Sequence, residues 1–239
     1  MGIVTRNGEW ERDMKKWENL PEEMRNQEVL YYYEVLKKKQ GALAAKRCFD
    51  VVMSLLLLIL LFPFMVLIGI AVKATSPGEV IFRQVRVTTY GKRFRIYKFR
   101  TMVAGASGQG AQVTVSGDAR VTGIGKFLRR VRLDELPQLL NILKGEMSFV
   151  GTRPEVEKYV ECYSDVMYAT LLLPAGVTST ASIQYKDEER LLSQGKDVDE
   201  VYTKEILPAK MEYNLEYLSH YSFFRDISIL FQTVAAVLR

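Results

Sequence analysis

Histidine and cysteine are scarce in this sequence. His220 is the only histidine among 239 residues, and Cys48 and Cys162 are the only cysteines. A lone histidine excludes metal sites built from several histidines, and we expect it to take no part in a Ser-His-Asp or Cys-His catalytic arrangement. The cysteines have no CxxC neighbour, so neither a redox motif nor a disulfide framework is indicated. We therefore expect a protein that faces the cytosol.

Charge is absent from residues 51–72, which are apolar on every helical face. A straight helix of this length would measure about 33 Å, enough to cross a hydrocarbon core of about 30 Å. However, Pro63 lies near the middle and removes a backbone hydrogen bond. Basic residues flank both ends, and a simple crossing would place one basic cluster outside. We predict a re-entrant helix–break–helix over residues 46–75, kinked at Pro63, with both ends on the cytoplasmic face.

The first 45 residues are predicted to form a helical extension. They hold no long apolar run, so we expect no signal peptide. A helix beginning near Pro21 would carry the tyrosines at 31–33 before the lysines at 37–39. Aromatic residues beside lysines are typical of a membrane–water interface. A helix packed on the main domain, or on a second copy in a homodimer, would have the same pattern, and these alternatives stay open.

The net charge of +5 suits an anionic partner: nucleic acid, acidic lipid or a phosphorylated substrate. Standard DNA-reading motifs are absent, so we expect no nucleic acid, although a membrane-tethered basic binding module remains an alternative. Asp197-Val198-Asp199 matches the DxD pattern of metal-dependent nucleotide-sugar glycosyltransferases. The start of a helix explains this triplet better. Residues 104–117 hold four glycines and no charge, which predicts either a lid or a connecting loop.

The most distinctive stretch is Arg129-Arg130-Val131-Arg132-Leu133-Asp134-Glu135-Leu136-Pro137-Gln138. Pro137 is compatible with the first turn of a helix, and Gly145 is a natural stop. Asp134 and Glu135 would then lie at a helix N-terminus, where the helix dipole favours their ionised forms. An ionised aspartate beside arginines suits either a divalent cation or attack on a phosphorus held by the arginines.

The remaining elements are read from hydrophobic periodicity. A β-hairpin is predicted across residues 88–92, and one helix is predicted from Glu155 to Leu173, before Pro174. The last helix places an apolar stripe toward lipid or core: Ile227, Leu230, Phe231, Val234, Val237 and Leu238. The predicted fold is α+β and predominantly helical. A cytosolic catalytic domain with amphipathic interface helices, residues 76–239, follows the membrane helix.

Several short motifs occur in an order that resembles one family. They are Lys46-Arg47-x-x-Asp50, Ser76-Pro77-Gly78, Phe82-x-Gln84-x-Arg86, Tyr97-Lys98-Phe99-Arg100-Thr101-Met102, Asp118-x-Arg120-Val121-Thr122, Leu133-Asp134-Glu135-Leu136-Pro137-Gln138, Gly145-Glu146-Met147-Ser148 and Val150-Gly151-x-Arg153-Pro154. This ordered set of motifs resembles that of the bacterial sugar transferases, which are monotopic phosphoglycosyl transferases of the cytoplasmic face of the inner membrane. They place a sugar phosphate on undecaprenyl phosphate and so initiate exopolysaccharide or glycoconjugate synthesis.

The resemblance implies a UDP-sugar donor, a polyprenyl phosphate acceptor in a phospholipid membrane, Mg²⁺ and release of UMP. It makes Asp134 the nucleophile and a metal ligand, and Glu135 its catalytic neighbour. The cations that would hold substrate phosphates are Lys98, Arg100, Arg129, Arg153 and Lys186. Phe62, Thr152 and Lys186 depart from the residues that many relatives carry, so the sequence leaves the identity of the sugar open.

Overall fold

Helices make up most of the structure, a computed structural model that describes residues 3–4, 10–11, 14–103, 105–106, 113, 118–186, 188–192 and 197–238. The α-helices are α1 Gln27–Lys37, α2 Gln40–Thr75, α3 Gly123–Arg130, α4 Leu139–Lys144, α5 Glu157–Val160, α6 Thr180–Gln184, α7 Glu188–Leu191, α8 Val198–Val201, α9 Leu207–Ser219 and α10 Phe223–Leu238. The strands are β1 Ile3–Val4, β2 Trp10–Glu11, β3 Ile81–Val87, β4 Arg93–Phe99, β5 Met147–Val150 and β6 Ala175–Thr178.

The apolar stretch forms one uninterrupted helix, α2, which includes Pro63 and begins at Gln40. It is long and apolar enough to cross a membrane. The predicted break at Pro63 is not seen. A proline removes one hydrogen bond, and residues on both sides of it pack on the rest of the protein, Leu57 and Leu58 before it and Met65 and Ile68 after it.

The segment before α2 packs on the main domain, which confirms one of the open alternatives for residues 14–37. The Asn26 side chain caps α1 by accepting a hydrogen bond from the Val29 N–H at 2.8 Å. Val29, Tyr33 and Leu36 of α1 are buried in the largest apolar core. The Tyr33 hydroxyl also donates to the Lys15 carbonyl. These residues are therefore part of the folded core.

The predicted hairpin is confirmed: β3 pairs antiparallel with β4. At its turn, Tyr90 and Gly91 both adopt positive φ angles, of 56° and 72°. The hairpin is joined to α4 through Asn141, whose side chain accepts from the Tyr97 N–H and donates to the Arg95 carbonyl. This contact positions β4, and with it Lys98, beside the segment that contains Asp134 and Glu135.

The single helix predicted over residues 155–173 is wrong. The structure has the short helix α5 and then a separate 3-10 helix, Asp165–Leu172. Ser164 is extended at the start of the second helix, and the next carbonyl, that of Asp165, accepts a hydrogen bond from Asn26. The tertiary contact with the N-terminal segment thus interrupts a run that is helical by periodicity.

A buried ion pair connects α2 with α10. Lys46 Nζ donates to Asp226 Oδ2 at 2.8 Å and to the Val150 carbonyl at 2.7 Å. The Tyr217 hydroxyl donates to the other carboxylate oxygen of Asp226 at 2.6 Å. These contacts join α2, β5, α9 and α10 at one point. Arg47, the next residue, donates to the carbonyls of Ile142 and Leu143 at the end of α4.

Replacing Lys46 by Met tests the importance of this ion pair. The variant leaves the Asp226 carboxylate buried without its cation, which should lower the free energy of unfolding by about 3–5 kcal/mol. Denaturant unfolding in detergent micelles measures the loss. Lys204→Met is the control, because the Lys204 and Glu200 side chains are 71% and 59% exposed, and such pairs contribute about 0–1 kcal/mol. Equal losses in the two variants would contradict the assignment.

Candidate active site

Asp134 and Glu135 lie in a 3-10 helix, Leu133–Gln138, which leads directly into α4. The helix is preceded by Arg132 in the left-handed region, with φ of 57°. Both carboxylates are almost completely buried, at 6% and 7% exposure. The sequence correctly predicts acidic residues in a first helical turn, but that turn is 3-10 and not α-helical. Because a buried charge is costly unless it is paired, the hydrogen-bond partners of the two carboxylates determine whether each is stable in its ionised form.

Glu135 is held by two cations. Its Oε1 atom accepts from Lys98 Nζ at 2.8 Å and from Arg153 Nη2 at 2.7 Å. Burial acts to raise the pKa of Glu135, but the charges of Arg153 and Lys98 outweigh it and hold that pKa well below its usual range. Glu135 is therefore ionised, and its charge raises the pKa of Arg153 in return. Lys98 and Arg153 thus both bind Glu135, and their predicted role as substrate-binding cations stays a prediction.

Asp134 differs from its neighbour. Its Oδ1 atom is buried and has no hydrogen-bond partner among the described residues. Burial raises the pKa of Asp134, while the charge of Lys98 acts against that shift and the charge of Glu135 adds to it. A buried carboxylate oxygen without a partner is costly, and a bound ion, a water or a catalytic role is among the explanations for such atoms in native proteins. Asp134 thus has an oxygen that no described residue binds, whereas Glu135 Oε1 accepts from two cations.

Arg129 lies at the end of α3, and its Nε atom donates to Thr101 Oγ1 at 2.9 Å. Thr101 in turn is pressed against the start of α3. A Cβ atom added at Gly125 would collide with the Thr101 carbonyl, so only glycine permits this approach. Thr122 caps the helix by accepting from the Gly125 N–H at 3.0 Å. The sequence motifs around residues 101 and 122 therefore serve to position Arg129.

Asp134 and Glu135 line a cleft of about 1090 Å³. The cleft is rich in positive charge, with more basic than acidic lining residues. The basic ones are Arg86, Lys98, Arg100, Arg120, Lys126, Arg129, Arg130, Arg132, Arg153, Lys186 and Lys210. Leu57 and Leu61 of α2 form part of its apolar wall. A phosphorylated ligand would therefore meet cations on several sides, next to an apolar surface.

Arg100 has a different environment from the other predicted phosphate ligands. Its guanidinium donates to the Ser76 hydroxyl and to the carbonyls of Ser76 and Glu79. Both terminal nitrogens are thus engaged by the segment that follows α2. We therefore assign Arg100 to holding the C-terminal end of α2. Lys186, by contrast, is exposed and lines the cleft, and its predicted binding of phosphate stays a prediction.

The DxD triplet lies outside the cleft lining. Asp197 caps α8 through the N–H groups of Asp199 and Glu200, and Asp199 accepts from Lys158 and Tyr159. The interpretation as a helix start is confirmed. His220 is exposed beside Ser219 and also lies away from the cleft. Most of the predicted lid, residues 104–117, falls outside the described residues.

A divalent cation would have to rely on few protein ligands. Among the described residues no group of three or more His, Cys, Asp or Glu side chains is arranged to bind a metal. Mg²⁺ usually takes one or two carboxylates, several waters and substrate phosphate oxygens. The unpartnered Asp134 Oδ1 is a hard oxygen ligand in a cleft suited to phosphates. The residues present therefore fit Mg²⁺ that arrives with a phosphorylated substrate.

Five further cleft residues form a polar group to which the sequence assigned no role: Arg86, Glu155, Glu188, Tyr202 and Lys210. Tyr202 donates to Glu155 at 2.6 Å across 47 positions of sequence. Only Arg86 lies in a motif that the sequence singled out. Contacts of such long range leave no local pattern, so this group was accessible only from the structure.

Most of this chain is similar in sequence to known proteins. Residues 41–239 match the family model described as bacterial sugar transferase. The chain is 37% identical over 193 residues to UDP-glucose:undecaprenyl-phosphate glucose-1-phosphate transferase of Escherichia coli (strain K12), covering 79% of this chain and 39% of that protein. It is 36% identical over 196 residues to the protein of the same name from Caulobacter vibrioides, covering 81% and 69%.

A third relative carries a different sugar in its name. The chain is 34% identical over 197 residues to UDP-N-acetylgalactosamine-undecaprenyl-phosphate N-acetylgalactosaminephosphotransferase of Aeromonas hydrophila, covering 81% of this chain and 43% of that protein. The chain thus spans less than half the length of the Escherichia coli and Aeromonas relatives. The names share undecaprenyl phosphate and differ in the sugar.

Two glycines of α3 provide a matched test of how the site is built. Gly125→Ala should force α3 away from Thr101 and lower the free energy of unfolding by about 1–3 kcal/mol. Gly123→Ala, two residues earlier, should have a small effect, because a Cβ there would have nothing within 4 Å. Thermal unfolding of both variants measures the difference. Equal melting temperatures would show that the close approach at Gly125 is unimportant.

Proposed function

This chain belongs to the bacterial sugar transferase family, and from that premise we propose that it transfers a sugar 1-phosphate from a UDP-sugar to undecaprenyl phosphate, with release of UMP. The match to the family model over residues 41–239 supports the reaction class. The names of the relatives support the acceptor, because they share undecaprenyl phosphate. The reaction proceeds in two steps, through a covalent intermediate on Asp134.

The unpartnered Oδ1 atom of Asp134 is the observation that carries this mechanism. In the first step this oxygen attacks the β-phosphorus of the donor. The bond from that phosphorus to the bridging oxygen breaks, and UMP leaves with the bonding electrons. In the second step an oxygen of the lipid phosphate attacks the same phosphorus. The Asp134 carboxylate is released, and the product is a polyprenyl diphosphate sugar.

The cations of the cleft stabilise the charge that develops on the phosphoryl oxygens. Lys98 and Arg153 lie closest to the carboxylates, and Arg129 is fixed by Thr101. Preorganised donors of this kind contribute several kcal/mol to transition-state stabilisation. Mg²⁺, held by Asp134 and the diphosphate, would offset the charge of the donor when bound. Glu135 keeps the two cations in place, and we assign it to assisting the incoming lipid phosphate.

We further propose that α2 is embedded in the cytoplasmic leaflet of the membrane without crossing it, so that both of its ends stay on the cytoplasmic side. The less exposed residues of α2 recur every three or four positions, at Ser54, Leu57, Leu58, Leu61, Met65, Ile68 and Val72. This stripe faces the rest of the protein along most of the helix. Both ends are fixed to the same domain, Arg47 to the end of α4 and Val72 to Arg100. The opposite face is apolar and exposed, with Ile59, Leu60 and Leu67 63–68% exposed, and suits lipid.

Donor alone should label the enzyme if the mechanism is covalent. With UDP-sugar and Mg²⁺ but no acceptor, the wild-type protein should release one equivalent of UMP and gain the mass of one sugar phosphate on Asp134. Asp134→Asn should abolish both signals, because the amide is not an anionic nucleophile. Intact-protein mass spectrometry and a UMP assay across a panel of UDP-sugars provide the measurements.

His220→Gln is the control for that experiment, because His220 lies away from the cleft, and it should leave UMP release within about twofold of wild type. Lipid phosphate added afterwards should discharge the adduct. Near-normal turnover by Asp134→Asn would rule out this residue as the nucleophile. Release of UDP in place of UMP would favour a glycosyltransferase that moves only the sugar.

The topology can be tested with cysteines placed before and after α2, one next to its start and one in β4. In a background with Cys48 and Cys162 replaced by Ser, single cysteines at Lys39 and Arg93 should both react with a membrane-impermeant thiol reagent only after the cytoplasmic face is opened. Labelling of intact spheroplasts and of inverted vesicles makes the comparison. If the two cysteines reacted from opposite sides of the membrane, the proposal would be wrong and α2 would cross the membrane once.

A further inference from the structure

The five polar residues beyond the dyad form what we call the mixed-charge cluster: Arg86, Glu155, Glu188, Tyr202 and Lys210. Glu155, Tyr202 and Lys210 are at most 5% exposed. The Tyr202 hydroxyl donates to Glu155 Oε1 at 2.6 Å, and Lys210 Nζ donates to Glu188 Oε2 at 2.9 Å. Lys210 Nζ also lies 3.4 Å from the Tyr202 hydroxyl. With two cations and two carboxylates, the cluster is balanced in charge, unlike the rest of the cleft.

The cluster adjoins the dyad through three consecutive residues. Arg153 donates to Glu135, the Pro154 carbonyl accepts from Arg86 at 3.2 Å, and Glu155 accepts from Tyr202. The Cα atoms of residues 153 and 155 are at most about 7 Å apart. The pKa of Arg153 is raised first by the charge of Glu135 and further by those of Glu188 and Glu155. Arg153 therefore stands between the dyad and the cluster.

The chemistry of the cluster suits a sugar better than a phosphate. Phosphate oxygens only accept hydrogen bonds, and a charge-balanced group offers them little net attraction. Sugar hydroxyls are neutral and both donate and accept, so they need fixed donors and acceptors side by side. Buried ion pairs contribute little net stability compared with apolar packing. Tyr202 also begins a π-helical turn, Tyr202–Ile206, a feature that is frequent at functional sites.

We propose that the mixed-charge cluster binds the hydroxyl groups of the donor sugar and determines which sugar is transferred. This rests on the proposed function, in which the sugar is bonded to the phosphate that Asp134 attacks. Glu155 of the cluster lies two residues beyond Arg153, the cation that binds Glu135, where a group attached to that phosphate would reach. Phosphate recognition and sugar recognition thus occupy neighbouring but distinct parts of one cleft.

Tyr202→Phe tests the proposal by removing one hydroxyl from the cluster. The KM for the preferred UDP-sugar, measured from UMP release, should rise about tenfold, as expected for the loss of a hydrogen bond to a substrate hydroxyl. Discrimination between UDP-sugars that differ at one hydroxyl should weaken. Affinity for UMP, which has no sugar beyond its ribose, should change by less than about twofold. Titration calorimetry measures the binding of UMP.

Tyr217→Phe is the matched control. Tyr217 is also buried and donates to a carboxylate at 2.6 Å, that of Asp226, but it is not among the residues that line the described cleft. It should leave the KM and the sugar preference unchanged. Glu188→Gln, whose side chain is 26% exposed, provides a second variant that keeps its shape, and it should alter sugar preference in the same way as Tyr202→Phe.

Three results would overturn the inference. Equal weakening of UDP-sugar and UMP binding would place the nucleotide on the cluster. Unchanged kinetics in both Tyr202→Phe and Glu188→Gln, with an active wild type, would make the cluster purely structural and leave the proposed function intact. Failure of the wild-type protein to release UMP from any UDP-sugar would refute the proposed function itself, and the inference with it.

Discussion

The assembly of the candidate active site depends on the negative charge of the Glu135 carboxylate, whose Oε1 atom binds two cations. Lys98 from β4 and Arg153 from the segment after β5 both donate to it. A buried carboxylate deprived of such partners costs several kcal/mol, so the strands, the 3-10 helix and the cleft must assemble together. The same arrangement explains why adjacent acidic residues differ. Glu135 binds Lys98 and Arg153 within the fold, whereas Oδ1 of the neighbouring Asp134 has no hydrogen-bond partner among the described residues.

Local alternation was enough to predict the β3–β4 hairpin. The dyad and the neighbouring arginines were singled out by short motifs that resemble those of one family. The 3-10 geometry of the dyad and the role of Arg100 do not follow from local pattern, because both depend on contacts with other elements. The same reason explains the interrupted helix after Glu155 and the pairing of Glu155 with Tyr202. Periodicity describes which face of an element is apolar, but not which distant group approaches it.

The boundary of the family match differs from the boundary of the fold. The match begins at residue 41, yet Met24, Val29, Tyr33 and Leu36 lie in the same apolar core as Leu207, Met211 and Leu218 of α9. Removing the residues before 41 would expose this core to water, at about 25 cal/mol for each Å² of apolar surface. The segment is thus required for packing, even though the catalytic motifs all follow it.

Arg47 has a consequence for the position of the active site above a lipid surface. Its guanidinium binds the last carbonyls of α4, the helix that follows the dyad without a linker. If α2 is immersed as we propose, the depth at which it lies in the bilayer sets the distance of Asp134 from the membrane surface. The phosphate of a lipid acceptor also has a fixed height, at the level of the head groups. Asp134 and the phosphate of the lipid acceptor then lie at the same depth in the membrane interface. The lipid has to diffuse only within the plane of the bilayer to reach the active site.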